Sequence, residues 1–580
     1  MSLGDDISRN FASLSFDRIH HDHIAQDIID YIAPFNLDIL RVRPVGHRRT
    51  MRMYDSTATY GGFILSQFIQ GAVCNSSTRW FGLKYIDEEI NEQQEVQTWF
   101  KQVVTAMLQA LRSSNFYEGN GQSINSWVHL GTAPLLCEMV PQSRSGLAKL
   151  CYTSIPYGQY VMSAGPDGKV DTFLRKVKLP LIVLKKMFDP KASPFNKGIS
   201  AEWERACEKN PYEKQEVLQC IEPREDLYGK NQSLAPNASS LKRADQLPWA
   251  SVWIEYGTKN RILRESGYRL FPVAIARYDL IAGETYGRGP SEMALPDART
   301  LNEADRKEQL MWDRYLDPPT LTKRNSIISG VLSKRAGGDT IVTDPGTAVR
   351  PLFDTTAWQP DDMMRKRKEQ AILRVYHVNE ILNLLAREKP EMTAFEVNAR
   401  LSLLQQIQGP VFSRLEQDYL ATIVQVTLDN MAHARMLEDP PAELTMRGTD
   451  GVLTISYEGP LARAQRSQEV LDIQQSVADL ASISQFDPDT VHIPDWKRVV
   501  RKLWEIRGTQ DLTLNEAEFK QLMQQIQQQQ QEQQQMQLAG GMAEAAGKVA
   551  PFIKQMREGG GALGMGGGGG GGQQQSPAAA

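Results

Sequence analysis

Residues 283–399 constrain the fold of this chain more than any other stretch. They read as a helix running out, a compact module, and a helix running back. The outgoing segment is GETYGRGPSEMALPDARTLNEADRKEQLMWDRYLDPP; a stretch rich in Gly, Pro, Thr and basic side chains follows, then QPDDMMRKRKEQAILRVYHVNEILNLLAREKPEMTAFEVNA. Pro360 suits a first helical position, and Asp361 and Asp362 lie in the first turn, where the helix dipole favours negative charge. Pro390 ends the segment. Met364, Ala371, Val375, Val378, Leu382 and Leu385 recur at steps of seven, four, three, four and three, the narrow apolar seam of a helix packed on helices. Unbroken, this helix is roughly 42 Å long. A hairpin so thin cannot cover its own seam, so side-by-side copies in an oligomer are expected.

The remaining sequence bounds what such a hairpin is attached to. A chain of 580 residues is too long for one core and divides into several domains. Its net charge of -4 argues against a nucleic-acid-coating protein, yet is compatible with a pore that passes DNA without gripping it. Cys74, Cys137, Cys151, Cys207 and Cys220 are odd in number and lack a CxxC pair, which predicts reduced structural thiols rather than a disulfide scaffold or zinc site. The acidic start at Asp5 and Asp6 carries no apolar core segment, so no signal peptide is expected. The most apolar run, 179–184, is too short to span a bilayer, and an intracellular assembly without a membrane is expected.

In chain order, residues 5–33 carry apolar side chains at helical spacing up to Pro34. His20, His21 and His23 cluster there with Asp22 and Asp27. A metal site and a solvated helix face are both open; the lack of a further ligand cluster nearby favours the second. Helices are predicted over 56–72 and 88–113, the latter through Val96, Trp99, Phe100, Val103, Val104, Met107, Leu108 and Leu111. Between Cys137 and Asp279 the runs LCYTSIP, QYVMSA, DTFLRKV, VLQCIEP, ASVWIEYG and FPVAIARYD, with a turn at Pro166-Asp167-Gly168, predict antiparallel sheet. The fold class is therefore α+β. Residues 393–437 read as one long helix with a kink at Gly409-Pro410, and MRGTDGVLTISYEG as a hairpin turning at Asp450-Gly451. Residues 461–538 return to helices that dissolve into glutamine. The glycine-rich remainder cannot bury a core.

Catalytic signatures do not emerge. GPDGK at 165–169 lacks the spacing and the hydroxyl residue of a phosphate loop, and there is no HExxH, no GxSxG and no carboxylate cluster at metal-ligand spacing. No catalytic, cofactor-binding or metal residue is assigned. A mechanical role is expected rather than an enzyme.

Six motifs carry a resemblance. YDSTATYGGFILSQFIQGAV with WFGLKY lies within 54–85, WFKQVVTAMLQALRSSNFY at 99–117, HLGTAPLL at 129–136, YGRGPSEMALPDARTLNEA at 286–304, PEMTAFEV at 390–397 and GPLARAQR at 459–466. In this order they resemble the head-to-tail connector, or portal, of short-tailed bacteriophages. The resemblance implies a ring-shaped homo-oligomer, usually a dodecamer, at one capsid vertex of the virion, assembled in the host cytoplasm. It implies a β-rich wing at 1–288 completed by the long helix and hairpin of 390–459, a stem of two helices at 289–316 and 359–389, a clip at 317–358 and a helical crown at 460–538. Residues 539–580 fall outside the pattern and are expected to be disordered. The implied partners are double-stranded DNA in passage without sequence reading, terminase, then tail or adaptor proteins, and the major capsid and scaffolding proteins.

Within that layout Lys323, Arg324, Lys334 and Arg335 are candidates for docking at the clip. Arg365, Arg367, Arg387 and Lys389 are candidates for the DNA channel: the first two belong to a basic run at the clip end of the returning helix, and the others flank Pro390, where the family's tunnel loop projects. Lys368 falls on the apolar seam and is expected to pack or to meet a neighbouring subunit. Helices 8–10 Å apart make a twelvefold ring of inner helices about 36 Å across, which leaves roughly 26 Å after helix width, enough for a duplex. The alternative is a scaffolding or coiled-coil structural protein without a pore, against which the β-rich block and the module between antiparallel helices speak.

Overall fold

The computed structural model describes residues 2–41, 43–44, 46–85, 94–141, 148–228, 247–257, 259–316, 320–322, 349–351, 362–385, 409–441 and 453–457, with short pieces between 473 and 526. Two units divide the chain, Met1–Pro494 and Asp495–Ala580. In the second, Trp496, Val499, Val500, Leu503 and residues 523–526 are described, all helical. The low-complexity tail and most of the expected crown lie outside the described residues.

The first unit opens with α1 (Leu3–Asp17) and α2 (Ile19–Tyr31). Where the periodicity reads as one segment, the chain breaks at Arg18, which turns inward beside the Tyr157, Tyr160 and Tyr286 rings and pairs with Asp22 at 2.7 Å. Ser2 and Asp5 cap α1 reciprocally. Next come α3 (Thr57–Val73), α4 (Gln94–Ser113) and α5 (Phe116–Leu130). Val96, Phe100, Val103, Val104, Met107, Leu108 and Leu111 form the buried face of α4, as the spacing predicts.

The β-rich block is antiparallel throughout. β1 is Phe81–Tyr85, β2 Thr132–Pro141, β3 Ala148–Ser154, β4 Tyr160–Ala164, β5 Val170–Pro180, β6 Lys214–Pro223, β7 Trp249–Glu255, β8 Ile262–Tyr268 and β9 Val273–Arg277. Strands β4 to β8 form a meander in sequence order, while β2 lies between β3 and β9. All six predicted runs are strands, and Pro166-Asp167-Gly168 is the β4–β5 turn, with Gly168 left-handed at φ 75°. Alternation puts Val217 and Trp253 on one face of the meander and Leu218, Val252 and Ile254 on the other. The first face is covered by helices α6 (Leu181–Met187) and α7 (Ala201–Lys209) through Leu184, Phe188 and Trp203. The second is covered by Ile7 and Phe11 of α1.

After the short α8 (Arg224–Tyr228) and the sheets, α9 (Pro290–Leu316) runs out from the body. β10 (Thr320–Thr322) and β11 (Val349–Pro351) pair antiparallel on either side of residues 323–348. The return is not the unbroken helix expected over 359–389: α10 (Asp362–Val375) and α11 (Val378–Leu385) are separated at Tyr376 and His377, and His377 sits at φ 53°. The break changes which residues face inward. Ile372, Tyr376, Val378 and Ile381 are buried, whereas Ala371, Val375 and Leu382 are only half-buried. The Leu385 side chain lies outside the described residues. Phe412, a π turn at Leu415–Leu420 and α12 (Ala421–His433) complete the main core. The 393–408 half of the expected long helix lies outside the described residues, and Gly409 and Pro410, the expected kink, begin the described half. β12 (Leu453–Tyr457) pairs with β1, from Phe81↔Tyr457 to Tyr85↔Leu453, a long-range partner; the Asp450-Gly451 turn and the first arm of the expected hairpin lie outside the described residues.

Candidate functional site: the root and shaft of the helix pair

Three of the motifs meet where α9 leaves the body. Gly131 follows α5 in the left-handed conformation, at φ 75°, and ends that helix. A Cβ on it would lie 2.3 Å from the carbonyl oxygen of Gly287, and one on Gly287 would lie 2.6 Å from that of Gly131. The HLGT and YGRG segments therefore cross backbone on backbone. The crossing is tied by Tyr278 N–H to Gly131 O at 2.8 Å and Gly287 N–H to Thr132 Oγ1 at 2.8 Å. Pro290, whose missing N–H costs nothing at a helix start, then begins α9.

Above this crossing sits a buried row of polar groups. His129 Nδ1 is 3.0 Å from Ser291 Oγ, which is 2.8 Å from Tyr376 OH. The row links α5, α9 and the end of α10. Burial pushes the His129 pKa down to about 4, so its imidazole is neutral near pH 7, and burial pushes the Tyr376 phenol up. Adjacent glycines make room for both rings: a Cβ on Gly61 would lie 2.6 Å from Tyr376 Cδ2, and one on Gly62 would lie 2.1 Å from His129 Cε1. The YGG of the first motif, the His of the third and the Ser of the fourth are parts of one joint.

Beyond the joint, charges hold α9 and α10 in antiparallel register. Lys368 Nζ is 2.5 Å from Asp297 Oδ1. One turn further out, Arg365 reaches Asp305 at 3.4 Å, Glu308 at 3.2 Å and Glu369 at 3.0 Å. Asn302 fastens the loop before α3 to the shaft: Oδ1 accepts from Tyr54 N–H at 2.6 Å, and Nδ2 donates to Arg52 O at 2.9 Å.

The channel candidates fare differently. Arg365 is 41% exposed in its side chain, but its donors are engaged by three carboxylates of its own protomer. Arg367 is exposed and has no ion pair with a described residue. Arg387 and Lys389, and all four clip candidates, Lys323, Arg324, Lys334 and Arg335, lie outside the described residues. Lys368, expected on the packing seam, is half-buried and paired across the shaft. The histidine cluster does not converge: His21 faces Tyr286 and Glu284, while Asp22 turns to Arg18. Among the described residues no group of His, Cys, Asp or Glu has a metal-binding arrangement. Sequence reasoning missed the His129–Ser291–Tyr376 row. Its one signal was Gly61-Gly62 inside a helical pattern, a costly pair that implies a close approach.

The chain is 26% identical over 480 residues to the probable portal protein of Bordetella phage BPP-1, covering 80% of each chain. It is 24% identical over 520 residues to the portal protein of Salmonella phage epsilon15, covering 86% of each. Among solved structures it is similar to a chain in the neck of an empty gene transfer agent particle, at TM-score 0.34 and 11% identity over 74% of this chain and 91% of that one, too remote to inform the fold. A profile described as "Bacteriophage head to tail connecting protein" matches residues 5–513. With nearly its whole length matched, the chain belongs to the bacteriophage head-to-tail connecting protein family.

Proposed function

We propose that this protein is the portal of a short-tailed phage: a ring, dodecameric by analogy with the family, through which double-stranded DNA is packaged and ejected at one vertex of the virion. The family match over 5–513 carries this reading, and the pinned helix pair suits it. A channel wall must resist sliding DNA, and the pair is held at its root by buried hydrogen bonds and along its length by ion pairs. In this reading α9 with α10 and α11 is the stem, 317–358 the clip, 1–288 with 390–459 the wing and 460–538 the crown. The clip would dock terminase and then tail or adaptor proteins, and the outer surface would meet capsid and scaffolding proteins during assembly in the host cytoplasm. The work is mechanical, and no step calls for catalysis.

Charge in the channel is assigned to Arg367, Arg387 and Lys389 ahead of Arg365, whose guanidinium is already neutralised by carboxylates. Symmetry repeats each cation as a ring that touches phosphates without reading bases. The test is direct imaging of the purified protein. Closed rings with a central hole wide enough for a duplex are expected; rods or open filaments would favour a scaffolding protein without a pore.

A further inference from the structure

Beside the root of the helix pair lies a groove of about 320 Å3, lined by Ala33, Phe35, Asn36, Tyr60 and Phe63 among others. Phe35 is 85% exposed, Phe63 53% and Tyr60 48%. Three aromatic rings stand in water around one depression, the kind of contiguous apolar surface that marks a contact site. The groove adjoins a basic loop, because Arg49 donates to the Asn36 carbonyl. From Arg41 to Arg52 the sequence holds Arg41, Arg43, Arg48, Arg49, Arg52 and His47 with no acidic residue. Arg41, Arg43 and Arg52 converge on the buried carboxylate of Asp30 at 2.7, 2.6 and 3.7 Å, and Arg43 also reaches Asp38 at 3.4 Å. Two carboxylates against five guanidiniums leave the loop positive in a chain whose net charge is -4.

We propose that this surface docks a segment of a different protein that carries carboxylates beside aromatic or aliphatic side chains. Guanidiniums favour planar oxyanions, and the groove next to them selects the source. A duplex offers phosphates and sugars on its outside and would leave the three rings uncovered, whereas a peptide fills the groove and meets the arginines at once. A second copy of this chain fits less well: most carboxylates along its helix pair are already engaged, Asp297 by Lys368, Asp305 and Glu308 by Arg365, and Glu303 by Arg306, while Asp313 near the far end of α9 is exposed. The inference rests on the portal reading only in that such a partner would be another virion protein.

The test is fluorescence anisotropy on the assembled full-length protein, using a labelled peptide that alternates Glu with Leu and Phe, and in parallel a labelled DNA duplex. The peptide is expected to bind, and to weaken roughly tenfold or more both in Arg48→Glu/Arg52→Glu and in Phe35→Ser/Phe63→Ser, with rings intact by electron microscopy. Should the charge reversal fail to fold, Arg48→Gln/Arg52→Gln serves, with a smaller loss in the same direction. No peptide binding at low salt overturns the proposal. So does duplex binding that falls in the arginine variant alone, which would make the surface a phosphate contact. Loss of rings from folded variants would also overturn it, by placing a second copy on this face. If the wild-type protein forms no rings at all, the portal reading fails, and the peptide result still decides the docking surface.

Discussion

Gly62 and Gly71 occupy the same helix and make opposite demands. A Cβ at 62 would run into the His129 ring, whereas at 71 it would meet nothing within 4 Å. Gly62→Ala is therefore expected to destabilise the protein by about 1–3 kcal/mol through overpacking, and Gly71→Ala to stabilise it by about 0.5–1 kcal/mol through helix propensity. Denaturant midpoints of the two variants check the pair, and a loss at both positions would remove the close approach as the explanation. His129 also sets a pH dependence. Folded, it titrates near 4, while an unfolded imidazole titrates near 6.5, so the unfolded chain takes up the proton first. Stability is full above about pH 6.5 and declines as pH falls towards 4, by about 3 kcal/mol in all. In His129→Gln that part of the pH profile is expected to flatten.

At the scale of elements, the junction of α10 and α11 separates what could be read from what could not. Residue types and spacing reveal a helix here, but the periodicity of Ala371, Val375, Val378, Leu382 and Leu385 carries straight through the break. A left-handed residue leaves no trace in a period when that residue is His, which enters this conformation more readily than most side chains. What holds the break is the bond from Tyr376 to Ser291, a contact between residues 85 apart in sequence and invisible to any local pattern. His377→Gly is expected to stabilise the fold by about 1 kcal/mol by relieving the left-handed backbone, and His377→Val to destabilise it; thermal midpoints in the reverse order would show that His377 is held by its side chain instead. The strands were far more legible, because β4 to β7 and β9 bury Val, Ile, Leu and aromatic residues between turns that Gly and Pro announce. The strand at Leu453–Tyr457 lay within a predicted hairpin, but β1 and its pairing with β12 escaped because that pairing joins residues far apart in the chain. The ion pairs along the shaft are half-exposed, so removing Lys368 or Asp297 singly is expected to cost less than about 1 kcal/mol. Their value is register, to be read in a double-mutant cycle.

For the whole molecule, the proposed ring would make the two sides of the returning helices separate folding from assembly. Val378 is buried within the protomer, so Val378→Asp puts an unpaired charge into the core and is expected to lose circular dichroism and rings together. Ala371 is half-buried. Ala371→Asp is expected to leave a folded protomer that no longer closes into a ring, seen as native circular dichroism with a monomeric mass by light scattering. Rings of normal mass in Ala371→Asp would mean that the contact between copies runs along another face.

The pairing of Phe81–Tyr85 with Leu453–Tyr457 also sets a timetable. A ribosome working at roughly 5–20 residues per second exposes the first strand tens of seconds before it makes the second, and the entire outgoing and returning helix pair emerges in between. For that interval an apolar strand with an open edge waits beside the growing chain, the situation in which strands join the wrong partner. Slowing synthesis between Tyr85 and Leu453 should then raise the aggregated fraction without changing the stability of the molecules that finish, and the same delay after Tyr457 should have no effect.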